Sequence, residues 1–286
     1  MKKILVLTDF SDNASHAASS AIFLASKVHA SVLLFHTFIR QAVPVNADTP
    51  WQIEELMWAD QSKYNLAYLT ENLEPLVDQL PPADYHPKIH TESTEGSLAF
   101  QLKEQLQNHD IEFIVMGAGS GTTMEHILAG SSTTAVIEHT TRPVIIIPAA
   151  AQLQRLKKVI FATDFDEADI HALGYLTGLG KLFDFQLEIV HVKLFKQTEQ
   201  EVSGPERSFF EKVEKLHYPN LSYQEVKGKD LASRLNRICK DKTSDLLVMV
   251  HDQRGLLGRL FGGSVSKAIL KRQSLPVMII PGTIKV

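Results

Sequence analysis

Apolar and polar positions along this chain form short buried runs that are separated by longer amphipathic segments. The run Lys3–Leu7 is typical of a strand covered on both faces. The segment that follows, Asn13–Val28, places Ala17, Ala21 and Leu24 at helical spacing. Strands that alternate with helices require right-handed crossovers and a mostly parallel sheet. The pattern therefore predicts an α/β fold.

The chain is an internal repeat. KKILVLTDFSDNASHA from Lys2 matches KKVIFATDFDEADIHA from Lys157, an offset of 155 residues. From Met116 onward the offset is 133, so the second copy is shorter by 155 − 133 = 22 residues. The repeat predicts two homologous domains, residues 1–149 and 150–286, which meet at the short linker AAAQLQRL.

Each copy is predicted to contain five strands. In the first half these strands are Lys3–Leu7, Ser31–Thr37, Tyr85–Thr91, Ile111–Met116 and Val144–Ile147. The helices between them are Asn13–Val28, Gln52–Leu76, Gly96–Asn108 and Ser132–His139, with a polar loop at Gln41–Thr49. The second half repeats the strands at Val159–Ala162, Leu187–Val192, Tyr223–Val226, Leu246–Val250 and Val277–Ile280.

A glycine-rich stretch, VMGAGSGTTMEHILAGS, connects the fourth strand to the last helix of the first half. Gly117, Gly119 and Gly121 fall within five residues, and Gly130 and Ser131 form a second step of small residues. Glycine lets the backbone approach a ligand closely, and free N–H groups at a helix N-terminus attract anions. The stretch predicts a phosphate site, with a flexible surface turn as the alternative.

A second candidate lies directly after the first strand, at Thr8 and Asp9. In open parallel sheets, ligands bind beyond the carboxyl ends of the strands where the strand order reverses. Asp164 repeats Asp9 at the offset of 155 residues. A shared role in ligand binding and the capping of the helix that starts near Ser11 both explain this repetition.

Three motifs in order, present in both halves, resemble the universal stress protein family. They are a first strand ending in V-D-x-S (TDFS from Thr8), a second ending in L-L-H-V (LLFHT from Leu33), and G-2x-G-9x-G-[ST] after the fourth. The resemblance implies two open, five-stranded parallel sheets of the adenine nucleotide alpha hydrolase-like type with strand order 3-2-1-4-5. It also implies an intramolecular pseudo-dimer through the fifth strands, which could dimerise again as a homodimer.

Family members with an intact loop bind ATP at the point where the strand order reverses, so the resemblance implies an ATP or AMP site. The aspartate after strand one faces the nucleotide, the backbone after strand two meets the adenine, and the loop holds the phosphates. The matching and adjacent residues are Thr8, Asp9, Thr37, Gly117, Gly119, Ser120, Gly130, Ser131 and Ser132 in the first half and Asp164, Val192, Gly263 and Ser264 in the second.

Both loops depart from the family pattern. In the first half Ser120 replaces the second glycine, and no Lys or Arg lies between Gly117 and Thr141. A triphosphate there would depend on backbone N–H groups, hydroxyls and a metal ion such as Mg²⁺. In the second half the two glycines are replaced by Val250 and Gln253, and a β-branched side chain works against close approach. The first half is therefore the expected site.

The remaining polar candidates are interpreted as structural. His36 and His191 end matching strands, where we expect them to bond to local backbone. His86 and His90 share one face of the predicted third strand but would lie about 13 Å apart. That separation is too large for one metal ion, so no metal site is expected. Cys239 is expected to be a small buried apolar residue.

Composition narrows the function further. The net charge of −4 gives no basic footprint for nucleic acid. Apolar runs stay below the roughly 18 residues of a membrane span. Cys239 is the only cysteine, as expected in a reducing cytoplasm. The long helix near Trp51 is rich in aromatic residues. This composition is expected if the helix covers the long loop of the first domain, or if it forms an interface with the second domain or another subunit.

These observations predict a cytoplasmic stress-response protein that senses or stores ATP or AMP in its first domain. We expect it to act through partner proteins, whose identity the sequence does not specify, rather than through turnover. A ligand-free interaction scaffold is the alternative. A slow ATPase is a third hypothesis, for which no general base or phosphate-clamping cation can be named and no catalytic residue is assigned.

Overall fold

The computed structural model describes residues 2–39, 51–108, 110–118, 131–151, 153–195, 203–251 and 275–284. The first half contains β1 (Lys3–Leu7), α1 (Asp12–Val28), β2 (Ser31–Phe38), α2 (Trp51–Asp78), β3 (Ile89–Glu95), α3 (Leu98–Asn108), β4 (Ile111–Gly117), α4 (Ser131–His139) and β5 (Val144–Ile147). The second half contains β6 (Lys158–Thr163), α5 (Glu167–Phe183), β7 (Gln186–Leu194), α6 (Ser203–Val213), a 3₁₀ turn (Glu214–Leu216), β8 (Leu221–Gly228), α7 (Leu231–Asp241), β9 (Leu246–His251) and β10 (Val277–Pro281).

All ten of these strands form one sheet. Its order is β3-β2-β1-β4-β5-β10-β9-β6-β7-β8, which confirms the predicted order 3-2-1-4-5 in the first half and repeats it in mirror order in the second. Pairing within each half is parallel. The halves join through β5 and β10, which run antiparallel with Ile145 opposite Met278. The predicted pairing of the two fifth strands is therefore observed within the chain.

Two apolar cores cover the two faces of the sheet because successive side chains of a strand point in opposite directions. One core packs α1, α2, α5 and α6 against the sheet and runs continuously through both halves. The other packs α3, α4 and α7 against the opposite face. Each core contains residues from both halves, so the halves share their interior. No described helix has the length and apolar character needed to cross a membrane.

The linker between the halves is part of the first core. Ala151, Leu153 and Leu156 are buried there. His16, on α1, donates a hydrogen bond from Nε2 to the carbonyl of Ala151. The connection is therefore packed against the first helix along its described residues.

The third strand differs from its prediction. It runs over Ile89–Glu95, not Tyr85–Thr91, and pairs with β2 from Val32 onward. Pro87 has no N–H to donate to the ladder, and the first bond to β2 is made by the Lys88 carbonyl, which accepts the Val32 N–H at 2.9 Å. His86 instead donates from Nδ1 to the carbonyl of Asp84 at 3.0 Å. The placement of His86 and His90 on one strand was therefore wrong.

Helix α2 faces the first core with Leu66, Leu69 and Leu73, which are buried. On its outer side Tyr64 and Tyr68, one turn apart, are 68% and 61% exposed. Side chains of this helix are described from residue 60 onward. The described part of the helix thus has one buried face and an exposed aromatic pair.

Candidate functional site

A cleft of about 750 Å³ opens at the carboxyl ends of β1, β2 and β4 in the first half. Strand β1 has β2 on one side and β4 on the other, so the chain connections diverge at this point of the sheet. The starts of α1, α3 and α4 surround the opening. We refer to it as the first-half cleft.

Five of the residues predicted from the sequence line the first-half cleft: Thr8, Asp9, Thr37, Gly117 and Ser132. They come from four different parts of the chain, and the fold brings them to one cavity. Ser131 begins α4, and its side chain is outside the description. The other predicted loop residues, Gly119, Ser120, Gly130, Gly263 and Ser264, lie outside the described residues.

The turn after β1 has an unusual backbone. Phe10 has φ 63°, in the left-handed region that side chains other than glycine rarely adopt. The turn is held by Thr8, whose Oγ1 accepts the Phe10 N–H at 3.0 Å. His36 donates from Nδ1 to the Thr8 carbonyl at 2.8 Å and packs on the Phe10 ring at 4.3 Å between centroids. This network presents Thr8 and Asp9 at the cleft.

The second half repeats the same turn. Phe165 has φ 68°, and its N–H donates to Thr163 Oγ1 at 2.9 Å. His191 donates from Nδ1 to the Thr163 carbonyl at 2.9 Å and stacks on Phe165. The expectation that His36 and His191 bond to local backbone is confirmed. Backbone strain of this kind, here at Phe10 and Phe165, is often found at functional sites. The sequence has no glycine at either position that would have indicated a left-handed residue.

Asp9 orients the start of α1 without capping it. The residue that caps α1 is Ser11, whose Oγ accepts the Ala14 N–H at 3.3 Å. The exposed Asp9 carboxylate accepts the Ser11 N–H at 3.0 Å and the Ser11 hydroxyl at 2.6 Å. The hypothesis that Asp9 itself caps the helix was therefore wrong. Its carboxylate is fixed at the mouth of the cleft by the capping serine.

Gly117 allows α1 to approach the end of β4. A Cβ at this position would lie 2.6 Å from the Asn13 carbonyl oxygen and 2.9 Å from the Ala14 nitrogen. The Asn13 side chain also donates from Nδ2 to the Ala118 carbonyl at 3.1 Å. Because both obstacles are backbone atoms, any larger residue would have to move the helix or the strand. The glycine is thus required by packing at the cleft floor.

A third wall of the cleft was missed by the sequence reasoning. The predicted helix from Gly96 begins instead at Leu98, because Gly96 has φ 133° and donates its N–H to the Phe38 carbonyl at 2.9 Å. Gly96, Ser97 and Leu98 all line the cleft. The Gly-Ser step after a strand was the available signal. Ile39, 71% exposed, forms the rim on this side.

The described lining combines polar and apolar groups, with a single carboxylate among them. It carries the hydroxyls of Thr8, Thr37 and Ser132, the carboxylate of Asp9, and no lysine or arginine. An apolar wall lies below them, formed by Leu7, Phe35 and Met116. Among residues with a described position, no group of three or more His, Cys, Asp or Glu could hold a metal ion. The cleft therefore offers backbone and hydroxyl groups rather than cations.

The matching position of the second half is filled differently. Val250 aligns with Gly117 (250 − 133 = 117) and is 5% exposed, so α5 cannot approach β9 as α1 approaches β4. Asp169 aligns with Ala14 (169 − 155 = 14) and is 3% exposed. The second half thus places a β-branched side chain and a carboxyl group where the first half has a glycine and an alanine.

Asp169 is held by two hydrogen bonds. Its Oδ2 accepts the Thr163 hydroxyl at 2.6 Å and the Asp164 N–H at 3.2 Å. Burial raises the pKa of Asp169 to about 7, aided by the neighbouring Asp164 charge and opposed by the Thr163 hydrogen bond. Val192, which the sequence predicts as a second-half site residue, is buried within the second core. Sequence reasoning missed Asp169 because the repeat was compared only for shared residues.

Two other features are structural. Cys239 is buried, and burial raises the pKa of its thiol to about 12, so it is a packed apolar residue as predicted. A shallow concavity of about 460 Å³ lies at the amino ends of the second-half strands. Its charges pair with each other, Arg155 with Asp245 and Lys157 with Asp184, both at 3.8 Å. These four charged side chains are therefore already paired with each other.

Comparison with known proteins gives a consistent result for the whole chain. The model of the universal stress protein family matches residues 1–148 and 155–281. A universal stress protein of Synechocystis is 25% identical over 97% of this chain and 99% of its own length. One from Methanocaldococcus jannaschii is 29% identical over 51% of this chain and 81% of its own. The crystal structure of a universal stress protein from Archaeoglobus fulgidus superposes with a TM-score of 0.71 at 18% identity, covering 98% of this chain and 96% of that one.

Proposed function

The chain belongs to the universal stress protein family, which supports a role in the stress response, and we propose that it binds an adenine nucleotide in the first-half cleft. The observation that supports the proposal is that the residues assigned through the family resemblance lie together. Thr8, Asp9, Thr37, Gly117 and Ser132, from four separate parts of the chain, all line one cavity. Its 750 Å³ falls within the usual range for small-ligand sites.

Each part of the cleft has a role in this proposal. The apolar wall of Leu7, Phe35 and Met116 contacts the base, and nearby hydroxyls such as Thr37 bond to polar groups of the nucleoside. Phosphate lies over Gly117, where no side chain intervenes, and against the N–H groups at the start of α4. Where Mg²⁺ accompanies the phosphates, Asp9 is the carboxylate available to it.

The second half is proposed to be empty of nucleotide. Val250 and Asp169 occupy the two positions where the first half has a glycine and an alanine. A buried carboxyl group also opposes phosphate whenever it is ionised. The two halves therefore divide their roles, with the first binding the ligand and the second supporting the shared sheet.

Nucleotide retained through gentle purification tests this function. We expect adenine nucleotide in the supernatant of heat-denatured protein, identified by HPLC. Ser132→Asp should remove it, because a carboxylate at the start of α4 repels phosphate yet favours the helix dipole, so the fold is kept. Ser208→Asp adds the same charge to an exposed position of α6 and serves as the control.

The opposite outcome supports the scaffold alternative. If the purified protein carries no nucleotide and neither AMP nor ATP at millimolar concentration raises its melting temperature, the first-half cleft is structural. Retention of nucleotide by Ser132→Asp at the level of Ser208→Asp would place the ligand somewhere else.

Contacts with partners complete the proposal. The exposed pair Tyr64 and Tyr68 on α2 supports a protein-contact surface, since aromatic residues are enriched at interfaces. We propose that a second copy of the chain binds this surface to form a homodimer. A cytoplasmic location is part of the same proposal, in keeping with the single buried thiol of Cys239.

A further inference from the structure

We propose that Asp169 fills, as part of the chain itself, an acceptor site that is open to a ligand in the first half. The site consists of two hydrogen-bond donors: the hydroxyl of the threonine at the end of the first strand, and the N–H of the next residue. We call these two groups the donor pair, which is Thr8 and Asp9 in the first half and Thr163 and Asp164 in the second. For the first half the inference rests on the proposed function, because it states how the first-half cleft holds one oxygen of its nucleotide.

The turn that carries the donor pair has the same geometry in both halves. Phe10 and Phe165 both have a left-handed backbone, with φ 63° and 68°. Each donates its N–H to the Oγ1 of the threonine two residues earlier, at 3.0 Å in the first half and 2.9 Å in the second. That bond uses a lone pair of the hydroxyl oxygen, so the hydroxyl hydrogen remains available to a second partner. Both halves therefore present their donors in the same arrangement.

In the second half both donors bond to one atom. Oδ2 of Asp169 accepts the Thr163 hydroxyl at 2.6 Å and the Asp164 N–H at 3.2 Å. The residue is 3% exposed. Burial, aided by the charges of Asp164 and Asp166, raises the pKa of Asp169 to about 7, so this site favours the protonated form of a carboxyl group. The second-half site thus already holds an acceptor oxygen, which its own chain provides.

In the first half the same donors have no such acceptor. Ala14 stands at the position of Asp169 (169 − 155 = 14), and its methyl group cannot accept a hydrogen bond. Among the residues that the structure describes, neither the Thr8 hydroxyl hydrogen nor the Asp9 N–H has an acceptor. Thr8, Asp9 and Ala14 all line the first-half cleft. The place that the Asp169 carboxyl group takes in the second half therefore corresponds to cleft space in the first.

A ligand oxygen supplies the acceptor that the first half lacks. Thr8 is 7% exposed, and a buried donor without an acceptor costs free energy that a bound acceptor restores. An adenine nucleotide carries acceptor oxygens on its ribose and on its phosphate. Ala14 is thus the residue that keeps the donor pair open to a ligand, and Asp169 is the residue that closes it.

Formate tests the second-half site without any nucleotide. Asp169→Ala removes a carboxyl group, and formate matches the space that this group leaves. At about five times its Kd and pH 5.5, sodium formate should raise the melting temperature of Asp169→Ala by about 2 °C more than sodium chloride does. The rise should be smaller at pH 8, because the site favours the protonated form.

Three proteins serve as controls for the formate response. The wild type and Asp169→Asn both keep an acceptor oxygen on the donor pair, so neither should respond to formate beyond the effect of chloride. Thr163→Val combined with Asp169→Ala has the vacated space but lacks the donor hydroxyl, and it should lose the response. This comparison separates hydrogen bonding to the donor pair from the filling of a cavity.

Ala14→Asn tests the first half by placing an uncharged acceptor oxygen on its donor pair. We expect calorimetric titration to show a loss of about tenfold or more in AMP affinity, with no change in Ala67→Asn, the same substitution at an exposed position of α2. Adenosine is titrated in parallel. An equal loss for adenosine assigns the bound oxygen to the ribose, and a loss confined to AMP assigns it to the phosphate.

The two parts of the test fail separately. A formate response that is absent from Asp169→Ala, or equal in Asp169→Ala and Asp169→Asn, overturns the inference. Wild-type affinity for AMP in Ala14→Asn also overturns it, while leaving the proposed function standing. If the wild type binds neither AMP nor adenosine and only Asp169→Ala responds to formate, the proposed function falls and the assignment of the second-half site stands.

Discussion

The two halves of this chain show how single residues open or close a site on one backbone. At Gly117 and Ala14, α1 lies directly against the end of β4, while their counterparts Val250 and Asp169 carry larger buried side chains. The turn after the first strand is the same in both halves, with a phenylalanine in the left-handed region. The difference in ligand binding that we propose therefore depends on side chains at the cleft floor rather than on the fold.

Substitution of Gly117 by valine, the residue of the second half, should be costly. The new Cβ would lie within 3 Å of the Asn13 and Ala14 backbone, so α1 must shift, and we expect a loss of about 2–3 kcal/mol in unfolding free energy. Urea denaturation measures it. Gly178→Ala is the control, since its Cβ meets nothing within 4 Å and should stabilise α5 by about 0.5–1 kcal/mol. Equal stability of Gly117→Val and wild type would show that the packing argument is wrong.

Asp169 should make stability depend on pH. Its pKa of about 7 in the folded protein exceeds the ordinary 3.8, so the folded state binds the proton more tightly and loses stability as pH rises from about 4 to 7. We expect the free energy of unfolding of Asp169→Asn, relative to that of the wild type, to rise by up to roughly 4 kcal/mol between pH 4 and pH 8. Denaturant unfolding at each pH measures this difference. A difference between the two proteins that does not change with pH would rule out a buried proton.

Residues of the site were partly predictable from sequence. Thr8, Asp9 and Gly117 could be found because motif and repeat mark them directly. The left-handed Phe10 could not, since its conformation depends on the Thr8 side chain and on the packing of His36. Nor could the burial of Asp169, which depends on how closely α5 lies to β6.

At the scale of elements, strands in the middle of the sheet were predicted well and the edge was not. The bounds of β1 and β5 match the apolar runs because both faces of these strands are buried. β3 lies at the edge, and its residues IHTESTE are mostly polar on both sides. An apolar pattern cannot mark such a strand. Its true start is set by Pro87, one residue before Lys88 leads into the ladder.

The outer face of α2 carries the prediction for self-association. Tyr64→Ser combined with Tyr68→Ser should leave the fold intact, because both side chains are largely exposed and the buried face is made by leucines. We expect the wild type to have twice the chain mass by light scattering after size exclusion, and the double variant to have the mass of one chain. A wild type of single-chain mass, or a double variant that stays dimeric, would refute the α2 homodimer.

At the scale of the whole molecule, the halves are joined by more than a linker. Antiparallel pairing of β5 with β10 makes the sheet continuous, and both cores extend through the two halves. The tandem sequence indicated this arrangement only through its family resemblance. Apolar strands at the ends of two repeats are equally compatible with pairing between separate chains.

Shared cores predict that the two halves unfold together. We expect a single transition in scanning calorimetry, and a lower melting temperature for the entire chain in Met278→Asp, which buries a charge opposite Ile145 at a cost of about 4 kcal/mol or more. Thr283→Asp, at an exposed position, should leave the transition in place. Two resolved transitions, with only one sensitive to Met278→Asp, would mean that the halves are energetically separate.

The most direct test of the central claim is the number of nucleotide sites in one chain. Isothermal titration of AMP into protein freed of bound nucleotide counts them without assuming which residues are involved. The division of roles between Gly117 and Val250 predicts one site for each chain, lost in Ser132→Asp. Two equivalent sites, or one that Ser132→Asp leaves unchanged, would contradict a ligand confined to the first-half cleft.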